Sequence, residues 1–150
     1  MLSTIRTNSE NPDFVSLVKL LDADLAKRDG EDHLFYSQYN KIDRISQVIL
    51  AFENEIPVGC GAIKQFLPTT VEVKRMYVLP EQRGKGIATL ILSELEKWAR
   101  ELTYDRCVLE TGKRQPEALA LYTRNGYNRI PNYGQYQGVK NSLCFEKIIR

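Results

Sequence analysis

The sequence predicts a single α/β domain, spanning residues 1–150, in which a mixed sheet carries helices on both faces. Two observations predict this fold class. Three strand-like segments follow one another between residues 46 and 78, a pattern typical of antiparallel hairpins. Strand-like and amphipathic helical segments then alternate, which is typical of a parallel strand–helix–strand unit. The 150 residues are 43% hydrophobic and 27% charged, which suits one domain with one good core.

The first half of the chain is predicted to form one helix, a short irregular segment and three strands. A helix is predicted over residues 11–29, with Gly30 as its stop. Residues 31–43 are expected to form a short helix and loop. Strands follow at 46–53, 56–66 and 70–78, and a tight turn at Asn54-Glu55 separates the first two. The apolar residues of the helix recur at helical spacing: Phe14, Leu17, Val18, Leu21 and Leu25.

The second half alternates between helices and strands. A long helix is predicted from about Gly84 to Leu102, followed by a strand at 105–110. Pro116 and Gly126 bracket a short helix at 117–125. Closing strands are expected at 127–130 and 143–148, joined by a loop rich in Gly and Tyr. The long helix has an inner apolar stripe of Ala88, Ile91, Leu95, Trp98 and Leu102.

Composition and charge exclude several classes of function. The net charge of +2 gives no argument for nucleic-acid binding. No run of about 18 apolar residues predicts a membrane span, and the N-terminus lacks a signal-peptide core. The widely spaced Cys60, Cys107 and Cys144 lie in apolar, strand-like contexts, which favours reduced core thiols over a metal site or disulfides. We therefore expect a cytoplasmic protein that binds no metal, membrane or nucleic acid.

A turn with two glycines links the third strand to the long helix. Residues 78–89 read Val-Leu-Pro-Glu-Gln-Arg-Gly-Lys-Gly-Ile-Ala-Thr. A helix start offers unpaired N–H groups and the positive end of the helix dipole, and glycine lets the backbone approach an anion closely. The missing Gly-Lys-Ser/Thr ending argues against a P-loop, and the glycine spacing argues against a dinucleotide fingerprint. Taken alone, the loop is either a pyrophosphate site or a glycine-capped helix start.

Three ordered motifs extend this pattern. They are residues 73–92 (Val-Lys-Arg-Met-Tyr-Val-Leu-Pro-Glu-Gln-Arg-Gly-Lys-Gly-Ile-Ala-Thr-Leu-Ile-Leu), 108–112 (Val-Leu-Glu-Thr-Gly) and 115–127 (Gln-Pro-Glu-Ala-Leu-Ala-Leu-Tyr-Thr-Arg-Asn-Gly-Tyr). Together they resemble the acetyl-coenzyme A motifs of the GNAT N-acetyltransferase superfamily, best from about residue 56 to 130. The resemblance implies a mostly antiparallel sheet of six to seven strands. It also implies that the parallel strands 71–78 and 106–110 splay apart around the cofactor.

The resemblance also implies the residues that bind acetyl-CoA. The backbone of Met76, Tyr77 and Val78 would lie beside the pantetheine arm, and the Val78 N–H would polarise the thioester carbonyl. Gln115 stands where the family often has an Asn that contacts the pantetheine; the longer Gln makes this contact a departure from the pattern. The pyrophosphate would be held by Gln82, Arg83, Gly84, Lys85, Gly86, Ala88 and Thr89.

Tyr122 and Glu72 are the catalytic candidates that the resemblance suggests. Tyr122 matches a helix tyrosine that protonates the departing thiolate in many members; the alternative is a tyrosine that only orients the cofactor. Glu72 lies where some members place a general base; the alternative is a surface glutamate. Alternation along the strand puts Glu72 on the same face as Met76 and Val78 unless a bulge intervenes. Glu110, at the end of the neighbouring strand, is a second candidate base.

The acceptor site is expected where aromatic and amide side chains cluster. Tyr133 would lie on one wall, in the loop before the last strand. The resemblance implies that the other wall comes from the region of His33, Tyr36, Tyr39 and Asn40, since the corresponding region often walls the acceptor cleft in the family. For His33 and the tyrosines the alternative is ordinary packing, with the imidazole hydrogen-bonded and the hydroxyls in contact with water. The mixture suits a small polar ligand.

The sequence thus predicts an acetyl-CoA-dependent N-acetyltransferase that passes the acetyl group directly to a primary amine of a small molecule or peptide. A non-catalytic acyl-CoA sensor on the same fold is the alternative. A nucleotide-phosphate binder unrelated to coenzyme A is disfavoured by the missing Gly-Lys-Ser/Thr ending. The closing strands would allow a homodimer.

Overall fold

The computed structural model describes residues 1–30 and 44–150. They form a seven-stranded sheet in the order β1-β2-β3-β4-β5-β7-β6. Neighbouring strands in the sheet pair antiparallel, except for β4 and β5, which run parallel. The strands are β1 (Leu2–Thr7), β2 (Gln47–Glu53), β3 (Ile56–Leu67), β4 (Thr70–Val78), β5 (Arg106–Gly112), β6 (Asn128–Ile130) and β7 (Ser142–Ile148). The predicted mixed, mostly antiparallel sheet is therefore confirmed.

Within the described residues, three helices cover the two faces of the sheet: α1 (Pro12–Asp29), α2 (Ile87–Glu101) and α3 (Pro116–Arg124). The apolar side of α1 packs on one face, where Phe14 and Val18 join a core with Leu50 and Cys60. Helices α2 and α3 cover the other face, where Ile91 and Leu121 belong to a larger core. Short 3₁₀ turns occur at Pro80–Gln82 and Gly134–Tyr136. Burying apolar side chains on both faces of the sheet gives three packed layers, with helices on either side of the sheet.

Most predicted elements are confirmed, with shifts of a few residues at their ends. Helix α1 ends at Gly30 as expected, and Asn54 and Glu55 both adopt positive φ in the turn between β2 and β3. Helix α2 begins at Ile87 rather than Gly84, because Gly84 and Gly86 both have φ of +81° and cannot be helical. The segment 31–43 lies outside the described residues.

Strand β1 is absent from the sequence prediction. Residues 2–7 pair antiparallel with β2, from Leu2↔Glu53 to Thr7↔Val48, at the edge of the sheet. The strand has one covered face, and its apolar residues do not alternate: Leu2 is half-buried whereas Ile5 is exposed. An edge strand with so little apolar burial leaves a weak period-two signal.

The parallel pair β4–β5 separates soon after it begins. Its register runs through Thr70↔Arg106, Val71↔Cys107 and Glu72↔Val108, and ends there. Beyond Glu72, β4 keeps pairing with β3 as far as Val78, whereas β5 keeps pairing with β7. The two strands therefore share an open gap between their carboxyl-terminal halves, which is the predicted splay.

Candidate active site

A cavity of about 500 Å³ opens where β4 and β5 separate. Its walls come from the end of β4, the glycine loop, the start of α2, the end of β5, helix α3 and one side of α1. Carboxyl ends of strands and helix N-termini thus converge on one concave site, which is the usual setting of a ligand site. The predicted cofactor residues in its lining are Met76, Tyr77, Val78, Gln82, Arg83, Gly84, Gly86, Ala88, Thr89 and Gln115.

The glycine loop has the geometry of an anion cradle. Gly84 and Gly86 have φ of +81°, and a Cβ added at either position would find no atom within 4 Å. Gly86 caps α2 without any side-chain hydrogen bond, and its carbonyl accepts from the Leu90 N–H at 3.0 Å. Ile87, Ala88 and Thr89 of the first turn line the cavity, so the positive end of the helix dipole lies at its wall. These features fit a pyrophosphate.

The backbone N–H of Val78 points into the gap between β4 and β5. Leu79 donates its N–H to the Val58 carbonyl of β3 at 2.9 Å. Val78 lies opposite Gly59 in the same antiparallel ladder. Since consecutive N–H groups of a strand point to opposite edges, the Val78 N–H points away from β3. Strand β5 has already diverged there, so this donor is available to a ligand in the gap.

Side chains of the loop are held by local contacts. The Nε of Arg83 donates to the Val78 carbonyl at 2.9 Å, and its guanidinium lies 5.6 Å from the centroid of the Tyr77 ring. Lys85 donates to Oε1 of Gln82 at 2.9 Å. Lys85 does not line the cavity, unlike the rest of the predicted cofactor set. The loop therefore presents Arg83 close to the strand end, with Lys85 at its outer side.

Tyr122 lies on the buried side of α3 and lines the cavity. Its ring packs edge-on against Tyr127, with centroids 5.7 Å apart. Burial, with the nearby Glu110 carboxylate as a second cause, raises the pKa of Tyr122 above the ordinary phenol value. The hydroxyl therefore keeps its proton at neutral pH, as a proton donor must.

Glu72 lies on the opposite face of β4 from Met76 and Val78, so the expectation from simple alternation is wrong. A β-bulge places Arg75 and Met76 opposite Gly61, and Arg75 adopts φ of +61°. The bulge shifts the alternation by one residue. Glu72 therefore faces α1, whereas Met76 packs with the α2 side of the core.

The Glu72 carboxylate is held by a residue of the loop between β6 and β7. Tyr133 donates its hydroxyl to Oε2 of Glu72 at 2.6 Å, and Lys74 lies 3.7 Å from Oε1. The Tyr133 ring contacts Phe66 and Tyr136, with centroids 4.9 and 5.9 Å away. Burial first, and then the Glu72 charge, raises the pKa of Tyr133. Tyr133 thus reaches the cavity through Glu72 rather than lining it.

Sequence reasoning missed the wall supplied by α1. Leu21, Asp24, Leu25 and Arg28 all line the cavity from this helix. Arg28 forms an ion pair with Asp24 at 3.1 Å and another with Glu117 on α3, which joins the two sides of the cavity. The only available sequence signal was the i, i+4 spacing of Asp24 and Arg28.

The remaining predicted residues are placed as follows. Glu110 lines the cavity beside Tyr136. The predicted acceptor residues His33, Tyr36, Tyr39 and Asn40 lie outside the described residues. Cys60, Cys107 and Cys144 are buried free thiols, as expected. Within residues 1–30 and 44–150, no cluster of His, Cys, Asp and Glu is arranged to hold a metal ion. In the same ranges, no helix has the length and apolar character needed to cross a membrane.

Comparison with known proteins connects this geometry to a family. The sequence model described as "Acetyltransferase (GNAT) family" matches residues 14–127. An uncharacterized N-acetyltransferase of Escherichia coli (strain K12), YjgM, is 36% identical over 85 residues, which are 55% of this chain and 50% of that protein. An IAA acetyltransferase of Azospirillum brasilense is 38% identical over 91 residues, 60% of each chain. The chain thus matches only about half to three fifths of these relatives' length.

Solved structures share the fold over nearly the whole chain. A Klebsiella pneumoniae protein assigned as an acyl-CoA N-acyltransferase superposes with a TM-score of 0.84 at 28% identity, covering 100% of this chain and 99% of that one. The PaiA N-acetyltransferase of Thermoplasma acidophilum, solved with coenzyme A, gives a TM-score of 0.70 at 18% identity, with 99% of each chain covered. At that identity the second likeness shows the fold alone.

Proposed function

Because the chain belongs to the GNAT acetyltransferase family, we propose that it transfers an acetyl group from acetyl-CoA directly to a primary amine of a small molecule or peptide. The observation that carries this proposal is the cavity between β4 and β5. It joins an anion cradle at Gly84 and Gly86, the inward-pointing N–H of Val78 and the buried hydroxyl side chain of Tyr122. One elongated ligand with a pyrophosphate and a thioester accounts for all three.

The cofactor would be held in sections by different parts of the cavity. The first turn of α2 and the glycine loop would bind the pyrophosphate, with Arg83 adding charge. The edge of β4 at Met76 to Val78 would bind the pantetheine amides as an added strand does. Gln115, which precedes α3 and lines the same cavity, would contact the same arm. Acetyl-CoA, when bound, supplies an activated acetyl thioester and a thiolate leaving group.

Residues on the two faces of the gap would then assist different steps of the acetyl transfer. The Val78 N–H would stabilise negative charge that grows on the carbonyl oxygen in the transition state. Tyr122 would donate its hydroxyl proton to the departing thiolate, and its raised pKa keeps that proton in place. On the α1 face, Glu72 would accept a proton from the attacking amine, with Glu110 as the second candidate. Amine and leaving group thus approach from opposite faces.

A coenzyme A release assay against a panel of primary amines tests the proposal. Release that depends on the amine, with acetyl-CoA hydrolysis subtracted, is the expected result. Tight coenzyme A binding without transfer to any amine would overturn the transferase and favour a non-catalytic acyl-CoA sensor. Absence of coenzyme A binding would overturn both. Whether the protein forms the homodimer that its closing strands would allow is a separate question, which light scattering answers.

A further inference from the structure

Arg75 is a buried cation whose hydrogen-bonding capacity is only partly used. The residue is 7% exposed. Its Nη1 donates to Oδ1 of Asp22 on α1 at 2.8 Å. Its Nη2 is also buried, and in residues 1–30 and 44–150 it meets no hydrogen-bond acceptor. A buried N–H group without a partner costs free energy, and a guanidinium more than a neutral donor, so this atom calls for a ligand or a water.

The backbone at Arg75 is strained, and the strained conformation turns the side chain toward α1. Arg75 has φ of +61°, which residues other than glycine adopt rarely. It occupies the β-bulge opposite Gly61, so that Lys74 and Arg75 both face α1 instead of alternating. Strain of this kind persists where the surroundings hold it in place, and it clusters at ligand sites. Arg75 lines the cavity on the same face as Glu72.

The cavity carries charges of both signs. Its lining holds the cations Arg28, Lys74, Arg75, Arg83 and Arg124. Carboxylates are supplied by Asp24, Glu72, Glu110 and Glu117. Such a wall would neither concentrate a polyamine nor attract a purely anionic ligand. It suits a molecule that carries one positive and one negative group.

We propose that Nη2 of Arg75 binds the carboxylate of the acceptor, so that the acceptor is an amine that also carries a carboxylate, as an amino acid does. The inference rests on the proposed acetyl transfer and adds the substrate class. Guanidinium forks match carboxylate geometry, and Nη1 is already turned toward Asp22. Glu72 and Arg75 are three residues apart, about 10 Å along the strand. Both residues line the cavity, so the amine and the carboxylate of one small molecule would be held at once.

Matched acceptors test this inference. Each standard amino acid, together with β- and γ-amino acids, is compared with its decarboxylated amine and its amide in the coenzyme A release assay. We expect kcat/KM to favour the free acids by about 10- to 100-fold, the range expected for a buried charged hydrogen bond. Arg75→Met should abolish that preference, and Arg75→Lys should reduce it. Lys19→Met, which removes an exposed cation elsewhere on α1, should leave it unchanged.

Two further measurements keep the outcomes separate. Coenzyme A affinity, measured by calorimetry for each variant, shows whether the cofactor-binding part of the protein is folded. If Arg75→Met does not fold, Arg75→Lys takes its place. An unchanged preference of Arg75→Lys for the free acids would then overturn the inference. Equal use of acids, amides and amines by the native protein also overturns it, while the transferase proposal stands. If no acceptor is acetylated, amino acids are titrated into the protein saturated with coenzyme A. Binding that Arg75→Met removes supports the carboxylate site, and absence of binding overturns it.

Discussion

The hydroxyl of Tyr133 donates a 2.6 Å hydrogen bond to Oε2 of Glu72 and so ties the loop before β7 to the last paired residue of the β4–β5 pair. Glu72 is the point at which the two parallel strands part. The bond therefore fixes one carboxylate at the entrance of the gap. Tyr133 itself lies beside this carboxylate and outside the lining of the cavity.

Because Tyr133 is hydrogen-bonded to Glu72, substitutions of these two residues should have non-additive effects on kcat. Glu72→Gln should lower kcat by about 100-fold or more if Glu72 is the base. Tyr133→Phe should lower kcat by about 3- to 10-fold through loss of one hydrogen bond to a carboxylate, with coenzyme A affinity unchanged. In the Glu72→Gln background, Tyr133→Phe should have no further effect on kcat. Additive losses in the double variant would show that Tyr133 acts independently of Glu72.

Tyr122→Phe separates proton donation from cofactor binding. We expect kcat to fall by about 10²- to 10⁴-fold, because the phenol proton is lost while the ring still packs on Tyr127. Coenzyme A affinity, measured by calorimetry, should stay within about twofold, since phenylalanine fills the same space. A matching loss of affinity and turnover would instead make Tyr122 a binding residue.

Gly61, which lies opposite the bulge in β4, predicts a large effect on stability. A Cβ at this position would lie 2.5 Å from Sδ of Met76 and 2.8 Å from Cγ2 of Ile91. Gly61→Ala should therefore lower the free energy of unfolding by about 1–3 kcal/mol, as overpacking does. Gly112→Ala is the matched control, because its nearest neighbour would be 3.5 Å away. Urea unfolding measures both, and equal stabilities would contradict the packing at the bulge.

Two buried thiols predict a loss of stability at alkaline pH. Burial raises the pKa of Cys60 and of Cys107 to about 12, from an ordinary value of 9.0. Since the folded pKa lies above the unfolded one, the stabilising contribution is fully present below about pH 9. It is lost as pH rises from there toward 12. Each thiol should contribute a slope approaching about 1.4 kcal/mol per pH unit in that window.

Urea unfolding at several pH values between 8 and 11 checks this slope. Cys60→Ala and Cys107→Ala remove one thiol each, so each variant should show a shallower decline than the native protein, whatever its stability at pH 8. Parallel curves for the native protein and both variants would mean that the thiols ionise equally in the folded and unfolded chains.

The sequence specified the parts of the site that are local. The strand, the two glycines and the helix start fall within residues 73–92, and all three line the cavity, where one elongated ligand would contact them in turn. The wall from α1 could not be predicted in this way, since Arg28 and Glu117 pair across 89 residues of chain. The bulge could not be predicted either, because Arg75 is neither glycine nor asparagine, the residues that most often adopt positive φ.

The central claim is that the glycine loop binds the pyrophosphate of coenzyme A, and Gly86→Leu tests it most directly. Gly138→Leu is a matched control, because Gly138 also has positive φ and open space around it but does not line the cavity. Isothermal titration calorimetry with coenzyme A should show a loss of affinity of about 100-fold or more for Gly86→Leu, since the side chain fills the cradle. The affinity of Gly138→Leu should stay native. Native affinity in Gly86→Leu, or equal losses in both variants, would contradict the assignment of the loop.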